Sequence, residues 1–217
     1  VGHILLIDVL VVAALLASWF LYFLRYNRRR GSSALRWVEA GFGSKGRVTD
    51  SHWVSNSRLQ ARLRFPAHWF GNARVTVKLL PRPVPVQWAI SLWRKQKETL
   101  TFEADLDCVP GFQLEVFRHR WFTNSQNSLR DRNRSWEVSH PGPVVLTTRS
   151  HWNNELTPLV NTLMTSRGHN LLSVRFRRES PHFVATVPLE ALSDRQAAAS
   201  FLSVLRELAA GASTTSS

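Results

Sequence analysis

One cysteine, Cys108, stands among 217 residues, so no internal disulfide can form and a disulfide-built secreted domain is excluded. Its surroundings, Asp-Cys-Val-Pro, carry no basic neighbour, and the thiol reads as a buried, inert one. Acidic residues are scarce as well, 15 against 28 Lys and Arg. No nucleophile elbow, phosphate-binding loop or dinucleotide fingerprint occurs, and no His pair falls at the spacing of a helical zinc site. Those absences favour a binding protein over an enzyme and call for no cofactor.

The composition is nonetheless that of a folded chain. Hydrophobic residues make up 44%, charged residues 20%, and nine Trp and twelve Phe supply bulk for a core. The net charge of +13 is unevenly placed. Residues 31–99 hold 12 basic and 3 acidic residues, whereas residues 100–217 hold 12 and 11. A bias of this kind speaks to partners rather than to fold.

From Ile4 to Leu24 the chain reads ILLIDVLVVAALLASWFLYFL, with Asp8 its one charge. Twenty residues of helix at 1.5 Å each cross a hydrocarbon core of roughly 30 Å. Val9 to Leu24 shows almost no polar face, unlike a helix on a soluble core. A cleaved signal sequence would carry basic residues before the run and small ones after it. Here bulky Phe23, Leu24, Arg25 and Tyr26 follow. Trp19, Phe20, Tyr22, Phe23 and Tyr26 suit an interfacial aromatic belt, and Arg25, Arg28, Arg29 and Arg30 flank it. By the positive-inside rule the expected topology is a short N-terminus outside and a cytoplasmic C-terminal domain. Asp8 is placed near the outer headgroups, or against a helix of a membrane-protein partner.

The expected division is a transmembrane anchor over 1–30, a juxtamembrane linker over 31–46, an α+β domain over 47–211 and a disordered tail over 212–217. Gly31-Ser32-Ser33 is expected to break or loosen the helix, with a short amphipathic stretch over Ala34–Ala40. Period-2 alternation then marks strands at Ser57–Phe65, Ala73–Leu79, Thr99–Leu106 and Phe112–Val116, each with one buried side. Further strands are expected at Val144–Thr148, Leu171–Arg177 and His182–Leu189. Val86–Gln96, after three prolines, reads as a short helix or docked loop over a sheet edge. Two C-terminal helices complete the fold, one over Asn153–Arg167 and one opened by Ser193-Asp194-Arg195-Gln196 and ended by Gly211.

Three features bear on chemistry. If Leu59, Leu63, Val75 and Val77 point inward, then Arg58, Arg62, Arg64, Arg74 and Lys78 share the outer face. The turn between those strands carries His68, Trp69 and Phe70, so anion or partner binding is expected there, with Trp69 taking part. Anionic headgroups, an acidic protein or, less favoured, a nucleic acid stacked on aromatics would each suit such a face. Glu103, Asp105 and Asp107 alternate with apolar residues and could pair with those cations or hold a divalent ion, the latter implying a metal-dependent hydrolase. Lastly, Thr123–Ser135 is a long polar loop with three arginines, either solvated or ordered by a partner. The reading is a single-pass membrane protein with a basic α+β domain, a non-enzymatic accessory or scaffold subunit. A membrane-tethered nucleic-acid binder is the alternative.

Overall fold

The computed structural model describes residues 2–42, 46–65, 70–107, 109–110, 112–118, 136–139, 144–149, 172–192 and 195–214. Helix α1 (Gly2–Phe42) is followed by strands β1 (Arg47–Ser55), β2 (Arg58–Arg64) and β3 (Phe70–Lys78). Helix α2 (Pro85–Trp93) precedes β4 (Thr99–Leu106) and β5 (Leu114–Arg118). Strands β6 (Trp136–Ser139), β7 (Val144–Arg149), β8 (Ser173–Phe176) and β9 (Phe183–Pro188) come next. A 3-10 turn (Leu189–Leu192) and helix α3 (Arg195–Thr214) close the described chain.

The nine strands form one sheet in the order β1-β2-β3-β4-β9-β8-β5-β7-β6, with every neighbouring pair antiparallel. The alternation in the sequence sets its register. Ala61, Val75, Phe102, Ala185, Val174 and Val116 stand in one cross-strand row, all on the buried face. Leu59, Val77, Leu100 and Val187 make a second row beside it. A one-residue slip would turn both rows to water, so burial of this face fixes the pairing. Phe70, Phe102, Phe176 and Phe183 meet edge-on, tilted or stacked across the centre of this core.

Helices α1 and α3 belong to the same core. In α3 the buried positions Ala198, Phe201, Leu202, Leu205, Leu208 and Ala209 recur at helical spacing. Its Ala198 and Leu202 lie against Gly41 of α1. Helix α3 runs past Gly211, expected as its stop, to Thr214; glycine is tolerated inside a helix at a cost of about 1 kcal/mol. The expected helix over Asn153–Arg167 lies outside the described residues.

The expected break at Gly31-Ser32-Ser33 is corrected: α1 is a single helix of 41 residues, Gly2–Phe42, which continues into the stretch expected as a linker over 31–46. From Leu6 to Ser18 it is exposed on all sides, and it is the one described helix long and apolar enough to cross a membrane. Its second part carries a buried stripe, Asn27, Gly31, Ala34, Leu35, Val38 and Phe42. Gly31 sits where a Cβ would come within 2.8 Å of the Trp53 ring. The glycine is there to let the indole reach the helix backbone, and the tertiary contact overrides its weak helix propensity.

Strand β2 runs alongside this part of α1 in the same direction. Leu59, at its start, lies by Gly31, and Phe65, just past its end, packs on Phe42 with ring centroids 4.8 Å apart. The sheet therefore stands lengthwise beside the helix, with its Arg58 end towards the apolar segment and its Arg64 end away.

Candidate functional site

The outer face of β1, β2 and β3 collects the basic residues. Arg58, Arg62, Arg64, Arg74 and Lys78 are all exposed, as the alternation requires. Pairing places Arg58 opposite Lys78, Arg62 opposite Arg74 and Arg47 opposite Arg64. These are three like-charged cross-strand pairs, an arrangement that destabilises a sheet by a few tenths to about 1 kcal/mol each. Arg47 is a member that sequence reasoning missed, because β1 has no clean alternation: only Val48 and Trp53 are half-buried along it. Among the described residues, no carboxylate forms an ion pair with any of these six cations. Trp69 and His68 lie outside the described residues.

An open groove of about 560 Å³ runs over this face, lined by Arg62, Arg64 and Arg74 on one side and Glu103, Asp105 and Ser180 on the other. Glu103 stands opposite Arg74 in the β3–β4 register. Asp105 accepts hydrogen bonds from Ser180 Oγ at 2.7 Å and Asn72 Nδ2 at 3.0 Å. Burial opposes its ionisation, but those two bonds and the neighbouring His182 outweigh it and hold its carboxyl below the ordinary value. Asn72 reaches Asp105 from a left-handed backbone, φ 45°, at a bulge in β3. Asp105 is thus committed to neighbouring side chains. The expectation that Glu103, Asp105 and Asp107 could hold a cation meets no support, since among the described residues no three His, Cys, Asp or Glu side chains converge on a metal position.

The four flanking arginines divide. Arg25, Arg28 and Arg29 are exposed, whereas Arg30 turns onto the buried carboxylate of Glu98 at 2.6 Å. Glu98 also receives Arg82 and the backbone N–H of Leu80. Burial of Arg30 disfavours its charge, but Glu98 and Tyr26 prevail and raise its pKa above the usual value. Asn27, fully buried, donates from Nδ2 to the carbonyls of Asn56 and Leu80 and accepts from Arg82 through Oδ1 at 3.3 Å. This polar clamp fastens α1 to the β1–β2 turn and to the loop ahead of α2. Its partners are up to 68 residues apart, and nothing in the local sequence marked it.

Helix α2 does not cover a sheet edge as expected. Its Trp88 packs on Trp19 and Phe23 of α1, with centroids 5.7 and 5.9 Å away, and Trp19 Nε1 donates to the Arg82 carbonyl at 3.1 Å. Sequence comparisons match the chain to no protein family and to no characterised protein.

Proposed function

We propose that this protein is a single-pass membrane scaffold whose basic sheet face receives an acidic segment of a protein held at the same membrane. The observation that carries the reading is the set of three like-charged cross-strand pairs, Arg47–Arg64, Arg58–Lys78 and Arg62–Arg74, on an exposed face with no ion-pair partner among the described residues. A face that lowers sheet stability this way suits an anionic ligand, whose arrival relieves the repulsion. Its orientation favours a neighbour over the bilayer. Arg58 and Arg64 are six residues apart on one strand, about 20 Å, along a strand that runs beside α1 away from the apolar segment. Only the Arg58–Lys78 end lies close to headgroups.

The positive flank of Arg25, Arg28 and Arg29 supports an N-terminus outside and a domain in the cytoplasm. Protease added to intact cells should spare the domain; its digestion from outside would reverse the topology. Nucleic acid is the less favoured ligand, because no exposed Trp, Tyr or Phe side chain stands on the basic face among the described residues.

The direct test places the full chain in nanodiscs of neutral phosphatidylcholine and titrates in a fluorescent oligoglutamate peptide. Binding should weaken steeply with salt and fall at least about tenfold in Arg62→Glu/Arg74→Glu, the loss of about 1.4 kcal/mol. Equal affinity of the variant would defeat the proposal, and so would tighter, salt-steep binding of a single-stranded oligonucleotide, which would install the nucleic-acid reading instead.

A further inference from the structure

Outside α1, six large apolar side chains are exposed among the described residues, and four of them are on one nine-residue helix. Val86 is 69% exposed, Ile90 43%, Leu92 51% and Trp93 82%. Val86, Ala89, Ile90 and Trp93 fall at i, i+3, i+4 and i+7, a single stripe along α2. The opposite side is anchored, with Trp88 half-buried against α1 and Ser91 buried. A domain that buries most of its other described apolar residues has no reason to hold this stripe in water.

Its position says what covers it. Trp88 touches Trp19 and Phe23, which belong to the apolar run that ends at Leu24. Trp19 lies five residues before that end, about 7 Å inside it along the helix. The Trp19 hydrogen bond to the Arg82 carbonyl fixes the start of α2 at the same level. Helix α2 is thereby held at the depth of the aromatic belt, where acyl chains give way to headgroups. Pro85 opens it in the first turn, and Lys95, in a left-handed conformation with φ 51°, ends it. Arg94, Lys95 and Lys97, all exposed, follow at once.

We infer that α2 is an interfacial membrane helix, with Val86, Ile90 and Trp93 set among the acyl chains of the leaflet beside Arg25 and with Arg94, Lys95 and Lys97 on anionic headgroups. An apolar stripe beside a basic flank is the usual make-up of a helix lying in that plane. The second anchor stops the domain from swivelling about α1 and so sets which way the basic face looks. The inference rests on α1 spanning the bilayer, and it holds whether or not that face binds an acidic protein.

The test uses the full chain with Cys108→Ser in vesicles of phosphatidylcholine and one-quarter phosphatidylglycerol. A nitroxide is attached in Ala89→Cys, on the stripe, and separately in Val12→Cys, in the middle of the apolar run. Collision with oxygen and with a water-soluble nickel chelate reports depth. The label at 89 should meet oxygen, be shielded from nickel and lie about 5–10 Å below the phosphates. Adding Ile90→Glu/Trp93→Glu should return it to nickel-accessible values. Leaving out phosphatidylglycerol should raise its nickel accessibility, and no change would remove the role given to the basic flank. A label at 89 open to nickel overturns the inference. So does a label shielded from both reagents, which would mean that a second copy or another protein covers α2. A label at 12 that is not deep would instead overturn the span itself.

Discussion

Arg30 and Glu98 meet at 2.6 Å, one from the helix that leaves the apolar segment and the other from the residue before β4. Arg82 closes on the same carboxylate from the loop that leads into α2. The side chain of Glu98 is 7% exposed and that of Arg82 15%, so removal of the acid strands two cations in a largely dry site. Arg30, its side chain 38% exposed, recovers part of its solvation. Glu98→Ala should therefore cost about 2–4 kcal/mol, read as a lower Tm of the detergent-solubilised chain. An unchanged Tm would mean that the clamp does not fasten helix to domain.

Gly31 lies under Trp53, and size alone should decide what it tolerates. Gly31→Ala brings a Cβ within 2.8 Å of the ring tip and 3.2 Å of Leu59, against a helix-propensity gain of about 1 kcal/mol, and should be nearly neutral. Gly31→Val adds two methyls with restricted rotation and should lose about 1–3 kcal/mol. Thermal unfolding of the pair checks this. Equal Tm values for the two variants would show that Trp53 does not pack on the helix.

The outer face sets stability against binding. Lys78→Glu turns the Arg58–Lys78 pair into an opposite-charge pair. It should raise stability by roughly 0.2–1 kcal/mol and weaken the oligoglutamate complex. A variant that loses stability and keeps its affinity would contradict both halves of that account.

Asp105 predicts an acid response with a definite sign. Its folded pKa is depressed, so its contribution is complete above the ordinary carboxylate pKa of about 3.9 and is lost as pH falls through the folded value. Asp105→Asn should remove that part of the acid-side slope in a plot of Tm against pH and leave the profile near neutrality flat. An unaltered acid limb would show that Ser180 and Asn72 do not stabilise the ionised form.

Much of this architecture is legible in the chain. Thr99–Leu106 alternates so regularly that the strand and its buried face follow from the residues alone, and β2 and β3 follow with their cations outward. The apolar run to Leu24 reads with equal ease. Other parts do not read locally. Arg47–Ser55 is an edge strand with little apolar periodicity, since half of its surface has nothing to pack against. Phe112–Val116 alternates like a strand with one buried side, but Glu115 and Phe117 are buried beside Leu114 and Val116, so β5 is covered on both faces, which its alternation did not reveal. Gly31 resembles a helix break until Trp53 is brought over it from 22 residues away. The expected basic face carried no sign of its direction, because the Asn27 and Glu98 clamps that orient it join residues remote in sequence.

In the proposed arrangement a continuous α1 holds the sheet upright on the membrane. Energy transfer from a dye at Arg58→Cys or Arg64→Cys to acceptors in the headgroups, with Cys108→Ser and full-length protein in nanodiscs, measures it most directly. Residue 64 should stand about 20 Å farther from the headgroup plane than residue 58. Equal transfer from both positions would mean that the sheet lies flat on the bilayer, and the upright arrangement would be wrong.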